Sequence, residues 1–298
     1  MKKLEPNIIA EDKYLSIAER AFDIFNQQMD TDFNLENTPV KLINAENADV
    51  EIPKFLKAYK EVVEPQMLEP GYYQCIRAEA FVTPKKAGII ARTDTCEHEL
   101  AWHHILLHEI SHIYCMRHEL KDGSSFFKKY CVGYAETSFQ EGAIAAGHEI
   151  WREFEAEYLA RLVDVYRQED TLKNSKKFIV DLLKEMDDIP DDFKACVTGV
   201  LIELFSTVEV VKAKDKKSFF EIVGKIDGFQ SVSWQEILST AYDQLFNKKR
   251  DFWELDVDFI ETLGNQYLML KTEKTMKKLT GDTKGIEILK DFFGNGGL

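Results

Sequence analysis

The stretch His108-Glu-Ile-Ser-His112 decides how this chain is interpreted, because its spacing fits the chemistry of a metal site. It lies within residues 94–116, whose composition predicts a helix. Side chains four residues apart lie on one face of a helix, so both imidazoles can reach one ion. Glu109 can take a proton from a metal-bound water, and zinc lowers the pKa of such a water to about 7. The stretch therefore predicts a zinc-binding helix with ligands at His108 and His112 and a general base at Glu109.

A plainer explanation of the same stretch is an amphipathic helix with polar histidines on its solvent-facing side. All seven histidines lie in the segment from His98 to His148, and this local enrichment raises the probability that H-E-x-x-H occurs by chance. A catalytic zinc site also needs a third protein ligand and an open coordination position. The choice between the two interpretations therefore depends on a further ligand elsewhere in the chain.

A second helix, predicted over residues 142–167, offers such a ligand. Its segment Trp151-Arg-Glu-Phe-Glu-Ala-Glu-Tyr-Leu-Ala160 places Glu153 and Glu157 four residues apart on one face, while Glu155 points to the opposite side. One face can therefore supply both a metal ligand and a carboxylate that holds a ligand imidazole by its other ring nitrogen.

The two motifs together resemble those of the gluzincin zinc metallopeptidases, the thermolysin-like clan. In the CAAX-prenyl-protease-like and HtpX-like branches the second motif reads E-x-x-A-[DN]-x-x-A. Here it reads Glu153-Phe-Glu-Ala-Glu157-Tyr-Leu-Ala160, with glutamate in place of the usual aspartate or asparagine. Residues 88–92 are similar to the strand that precedes the first motif in the ImmA/IrrE-like small gluzincins. By position, the resemblance, which covers residues 70–165, implies that Glu153 is the third zinc ligand and that Glu157 orients a ligand.

The small number of helix-breaking residues favours long helices, since the 298 residues include only 15 Gly and 7 Pro. We expect an α+β fold, mainly helical, in which a small sheet precedes the two motif helices. The resemblance implies a zincin-like core at residues 1–168, with the sheet packed on the two active-site helices, followed by a helical C-terminal region at 169–298. Pro53 is expected to open a helix, and Asp94 or Thr95 to cap the helix of the first motif. We predict strands at 39–43, 72–82 and 88–91, and helices at 12–29, 53–63, 94–116, 142–167, 176–186, 191–208, 217–226, 234–247 and 255–279.

The other histidines have plainer expected roles. His104, one helical turn before the first motif, shares its face and could lie at the rim of the site. We expect His98, His103 and His118 to be solvated. His148 could line the cleft, but we expect it to lie at the surface or to cap a helix.

Two tyrosines and one cysteine near the motifs also have alternative roles. Tyr134 and Tyr158 are candidates for donating a hydrogen bond to the developing oxyanion, although packing is the ordinary role of tyrosine in a chain rich in aromatic residues. Cys115 could offer a soft thiolate to zinc, but we expect it to be a small buried residue.

The composition excludes several classes of protein. Lys and Arg number 38 against 52 Asp and Glu, and the net charge of −14 argues against a nucleic-acid partner. No apolar run approaches the ~18–20 residues that cross a membrane, and no apolar segment of a secretory signal follows the first lysines. Five cysteines without a C-x-x-C indicate neither a disulfide framework nor a cysteine-based zinc site. These features predict a cytoplasmic protein, and they leave its oligomeric state open.

Two functions follow from the motifs. The first is a zinc (Zn2+) metallopeptidase that hydrolyses a peptide or protein substrate, with Glu109 as general base. The alternative is a metal-binding regulatory or interaction protein on a peptidase-like scaffold, which the ImmA/IrrE-like resemblance suggests because such proteins often act on regulators in bacteria and on mobile elements. An intact Glu109 favours the enzyme, since a structural zinc site needs no base and closes all four coordination positions.

Overall fold

The structure, a computed structural model, describes residues 13–63, 65–69, 71–95, 98–119, 135–167, 170–247 and 255–280. These residues are mainly helical and include a small three-stranded sheet, which confirms the predicted α+β, mainly helical class. The strands are β1 Val40–Ile43, β2 Ala78–Val82 and β3 Ala87–Arg92. The helices are α1 Lys13–Met29, α2 Ala48–Leu56, α3 Tyr72–Cys75, α4 Glu99–Glu119, α5 Ser138–Val163, α6 Leu172–Glu185, α7 Phe193–Phe205, α8 Val208–Val211, α9 Lys216–Val223, α10 Val232–Tyr242 and α11 Val257–Thr280.

The described residues divide into two compact units. The first contains the described part of residues 13–119 together with residues 155–167, and the second contains residues 135–154, 170–247 and 255–280. The division crosses α5 between Phe154 and Glu155, although the helix itself is continuous. The two-domain arrangement with a boundary at residue 168 stays a prediction.

The sheet of the first unit is built around β3. Its strand order is β1-β3-β2, with β1 parallel to β3 and β2 antiparallel to it. Gly88 lets β3 approach its neighbours closely, because a Cβ there would lie 2.2 Å from the hydroxyl oxygen of Tyr59. That hydroxyl donates a 2.8 Å hydrogen bond to the carbonyl of Ala87. One apolar cluster contains Ile52 and Leu56 of α2 and Phe81 of β2, so α2 and the sheet bury their apolar side chains against each other.

Two side-chain contacts fix the start of α4 near the end of β3. The indole nitrogen of Trp102 donates to the carbonyl of Arg92 at 3.2 Å. The hydroxyl of Tyr14, on α1, donates to the carbonyl of Thr93 at 2.6 Å. The two aromatic rings meet edge to face, with centroids 4.8 Å apart. As a result, α1 packs along α4, and α4 lies against β2.

The second unit is helical. The pairs α6 with α7 and α10 with α11 pack along each other. Close contact of α5 with α11 depends on two glycines: a Cβ at Gly147 would lie 2.0 Å from the carbonyl oxygen of Ile260, and one at Gly264 would lie 1.8 Å from that of Ala143. The helical segments predicted after residue 170 are confirmed, with ends that differ by a few residues, and the short helix α8 was not predicted separately.

The first third differs from prediction at two places. Pro53 was expected to open a helix, but it lies inside α2, which begins at Ala48. The reason is an earlier turn. The side chains of Asn44 and Asn47 accept from each other's backbone N–H, and the backbone carbonyl of Asn44 accepts from Ala48 N. The strand predicted from residue 72 begins only at residue 78, after the short helix α3.

Arg92 explains the late start of β2 and also the late start of α4. Its guanidinium donates to the carbonyls of Tyr73 and Ile76 at 3.1 and 3.3 Å, so these groups bind a side chain rather than a neighbouring strand. The same guanidinium binds Asp94 at 2.9 Å, and Asp94 also accepts from Ala45 N. Asp94 is therefore engaged elsewhere, and α4 begins at residue 99 instead of at the predicted cap.

Candidate metal centre

The first motif lies in the middle of α4. Glu109 and His112 are each 7% exposed and His108 is half-buried, so the solvent-facing amphipathic helix is wrong for this stretch. The Nε2 atoms of His108 and His112 lie 3.0 Å apart, with the two rings nearly perpendicular at 84°. For comparison, two nitrogens on one tetrahedral zinc are about 3.3 Å apart, given Zn–N bonds of about 2.0–2.1 Å. The two imidazoles thus converge at a spacing suited to one ion.

The second motif brings a carboxylate to the same place. One ligand atom each from His108, His112 and Glu153 can be chosen so that all three lie within 4.8 Å of one another. Glu153 is half-buried on α5, and its Oε1 is 3.5 Å from the guanidinium of Arg152. Two imidazoles and one carboxylate form the ligand set of several catalytic zinc sites. These three residues, predicted from the sequence, are therefore together in space, and their binding of zinc stays a prediction.

Glu157 lies behind His108, one helical turn after Glu153. Its Oε2 is 3.0 Å from Nδ1 of His108. Because a carboxylate only accepts, this contact assigns the proton to Nδ1 and leaves a lone pair on Nε2, the atom that faces His112. Burial raises the pKa of Glu157, but the hydrogen bonds from His104 and His108 outweigh it and hold that pKa well below its usual value. Glu157 therefore contacts one of the two imidazoles of the first motif, and its role in orienting a metal ligand stays a prediction.

Three further side chains complete a network around Glu157. Its Oε1 accepts from Nε of Arg161 at 2.7 Å and from Nε2 of His104 at 3.1 Å. The other ring nitrogen of His104 is 3.0 Å from Oδ2 of Asp164. His104 was expected only at the rim of the site, and Arg161 and Asp164 were missed. A four-residue spacing was the available signal, since His104 precedes His108 by four residues and Arg161 follows Glu157 by four.

The remaining sequence candidates have mixed outcomes. Cys115 is fully buried, as expected, and His98 is exposed, as expected. His118 and His148 are half-buried, and Nδ1 of His118 donates to the carbonyl of Tyr114 at 2.8 Å. Tyr158 is buried, which raises its pKa and keeps its hydroxyl protonated at neutral pH, whereas Tyr134 lies outside the described residues. Glu155 is fully buried.

The prediction that His103 is solvated is wrong. The residue is 2% exposed because α4 is buried on most of its sides, and its ring meets that of Tyr166 edge to face at 5.2 Å. Among the described residues neither of its ring nitrogens has a hydrogen-bond partner, and Nδ1 is 4.0 Å from Asp164. Burial lowers the pKa of His103 more than the nearby carboxylate raises it.

A second group of potential ligands lies at the junction of α6 and α7. Atoms of Glu185, Asp192 and Cys196 also lie within 4.8 Å of one another. Burial and the two neighbouring carboxyl groups raise the pKa of the Cys196 thiol to about 11. Metals bind the thiolate, so an ion at this group would have to displace a tightly held thiol proton, which the histidine pair does not require.

Comparisons with known proteins add no relative. The chain matches no protein-family model, no curated protein and no solved structure. Among the described helices, none combines the length and the apolar character needed to cross a membrane.

Proposed function

We propose that this chain is a zinc-dependent metallopeptidase of the gluzincin type that hydrolyses a peptide or protein substrate. The observation that carries the proposal is the meeting of His108, His112 and Glu153, whose ligand atoms lie within 4.8 Å of one another. Two imidazoles with one carboxylate suit zinc, whereas magnesium and calcium prefer sites made of oxygen alone. Three protein ligands also leave a coordination position for water or substrate.

The orientation of His108 supports the same proposal. Catalytic zinc ligands usually donate their second ring nitrogen to a carboxylate or a carbonyl, and Nδ1 of His108 meets Glu157 in this way. Glu157 occupies the position that the gluzincin second motif gives to its orienting residue. A histidine pair that merely packed on a helix would have no need of this support.

The local architecture supports a zincin-like core. Trp102 and Tyr14 bond the backbone at the end of β3, so a buried strand precedes the helix of the first motif and ends near its start. Among the described residues, the helix that follows α4 in the chain is α5, which carries the second motif. This order of strand, first motif and second motif is the one that the gluzincin resemblance implies.

The roles in hydrolysis follow from these positions. Zinc at such a site supplies Lewis acidity, which lowers the pKa of water and polarises a substrate carbonyl. Glu109 takes the proton of the attacking water and passes it to the leaving amide nitrogen, so that the peptide bond breaks without a covalent intermediate. Its burial beside His108 keeps the carboxylate in a low-dielectric setting, where its interactions with developing charge are strong.

The experiment that tests the function compares wild type with Glu109→Gln against a broad peptide library at full zinc occupancy. The substitution keeps the size of the side chain and removes the base, so hydrolysis should fall by about 10²–10⁴-fold while zinc content stays the same. Glu141→Gln, at an exposed position on α5, is the matched control and should keep wild-type activity. Equal rates in wild type and Glu109→Gln, including no hydrolysis by either, would overturn the peptidase and favour a metal-binding scaffold.

A further inference from the structure

A second layer of charged side chains lies behind the proposed metal ligands. One carboxylate oxygen of Glu157 accepts a hydrogen bond from His108, and the other accepts from both His104 and Arg161. His104 in turn contacts Asp164, just beyond the end of α5. The path therefore runs without a gap from Asp164 through His104 and Glu157 to His108.

The chemistry of the contacts defines what His104 does. Both of its ring nitrogens face carboxylate oxygens, at 3.0 Å from Asp164 and 3.1 Å from Glu157. Carboxylates accept hydrogen bonds and cannot donate them, so the ring satisfies both contacts by donating from both nitrogens. His104 and Arg161 thus face the carboxylates of Glu157 and Asp164 as hydrogen-bond donors, and hydrogen bonds to a carboxylate are stronger than those between neutral groups.

Asp164 is itself held in place. Its Oδ1 accepts from the backbone N–H of Tyr166 at 3.0 Å, which leaves Oδ2 for His104. The side chain of Asp164 is only 7% exposed, and that of His104 is 23% exposed. A partly buried, fully bonded pair of this kind restricts the rotamers of the side chains that contact it.

Glu157 needs such restriction more than a shorter residue would. A glutamate has one more rotatable bond than an aspartate, so more conformational freedom must be lost to hold its carboxylate in one place. Oε1 is fixed by His104 and Arg161, and this leaves Oε2 directed at Nδ1 of His108.

We propose that His104 is a positioning residue of the metal centre. Supported by Asp164, it holds the carboxylate of Glu157 so that His108 keeps its Nδ1 proton and presents Nε2 to the ion. The inference rests on the metal centre of the proposed function, but it does not depend on peptide hydrolysis.

Metal titration of His104→Ala and His104→Gln tests the proposal without an activity assay. We expect one ion per chain to be kept, zinc affinity in chelator competition to fall about tenfold, and the visible spectrum of bound Co2+ to change. His118→Ala, on the same helix, is the control, because its ring nitrogen bonds the carbonyl of Tyr114 instead. The metal-free proteins are also melted, which separates loss of stability from loss of affinity, and His104→Gln decides the result if the alanine variant does not fold.

A double-variant cycle shows whether His104 acts through Glu157. In a Glu157→Ala background, His104→Ala should cause no further loss of affinity, because the residue that it positions is absent. Unchanged affinity and Co2+ spectrum in both His104 variants, or a full additive loss in the cycle, would overturn the inference. The inference about His104 can fail while the proposed function stands: this is the case if wild type binds zinc and Glu109→Gln abolishes hydrolysis. If wild type binds no zinc, both the inference and the proposed function are contradicted.

Discussion

Nδ1 of His108 lies 3.0 Å from Oε2 of Glu157, and this contact joins the two motif helices. It assigns the proton of His108 to Nδ1, and the other ring nitrogen, Nε2, lies 3.0 Å from Nε2 of His112. The contact therefore fixes the orientation of the His108 ring, at the cost of holding Glu157 charged in a largely buried position.

Removal of Glu157 should weaken metal binding. We expect Glu157→Ala to lower zinc affinity by about 10–100-fold, the usual effect of losing a carboxylate that supports a ligand imidazole. Glu157→Gln should fall between this variant and wild type, because an amide oxygen can still accept from His108 but carries no charge. Chelator competition at fixed pH measures both affinities. Wild-type affinity in the alanine variant would show that the contact has no role in binding.

Glu153 should be required for stoichiometric zinc. Glu153→Ala removes the only carboxylate of the three-residue group, so elemental analysis after dialysis should show well under one zinc per chain. Glu149→Ala is the matched control, because Glu149 is exposed on the same helix one turn earlier and pairs with Lys194. Full zinc in Glu153→Ala together with loss in Glu155→Ala would mean that the ligand lies on the other side of α5.

His103 should make stability depend on pH. Burial lowers its pKa in the folded state, while the unfolded pKa is near 6.5. Below about pH 6.5 the unfolded state takes up a proton at His103 before the folded state does, which favours unfolding. The stability that goes with the neutral ring is therefore fully present above about pH 6.5, and the free energy of unfolding decreases as the pH falls below that value. His103→Leu should flatten the acid side of the unfolding free energy measured in urea, with zinc removed from both proteins. His98→Leu, at an exposed position, should keep the wild-type slope, and an equal slope in His103→Leu would contradict the prediction.

Two glycines of α5 should respond oppositely to alanine. A Cβ at Gly147 would lie 2.0 Å from the carbonyl oxygen of Ile260, so Gly147→Ala should destabilise the fold by about 1–3 kcal/mol or more. Apart from its own stretch of helix, the described part of the chain places no atom within 4 Å of a Cβ at Gly142, so Gly142→Ala should stabilise the helix by about 0.5–1 kcal/mol. Denaturant unfolding measures both changes. A similar effect of the two substitutions would show that α5 and α11 are not in close contact.

The periodic parts of the fold could be predicted from the sequence. Apolar spacing predicted α1, because that helix buries one face, and short runs of branched residues predicted β1 and β3, of which β3 is buried along most of its length. The start of α4 could not be found in this way. Asp94 is a good capping residue by type, but Arg92 and the backbone of Ala45 engage it, and only the folded structure brings these groups together.

The candidate site, like the fold, could be predicted from the sequence only in part. Four-residue spacing places Glu153 and Glu157 on one face and pairs His108 with His112, since it reflects helix geometry alone. Asp164 lies after the end of α5, where no helical period applies, so its contact with His104 gave no signal. The burial of His103 could not be predicted for another reason. A helix that is buried on most sides has no separate polar face in its sequence, so the periodicity does not show which side chains are exposed.

Anomalous diffraction from crystals of the zinc-loaded protein, recorded on both sides of the zinc absorption edge, tests the central claim most directly. We expect one anomalous peak at about 2.0–2.2 Å from Nε2 of His108, from Nε2 of His112 and from a carboxylate oxygen of Glu153. A peak at Glu185, Asp192 and Cys196 instead, or no peak within reach of the two histidines in crystals shown by elemental analysis to contain zinc, would contradict the account.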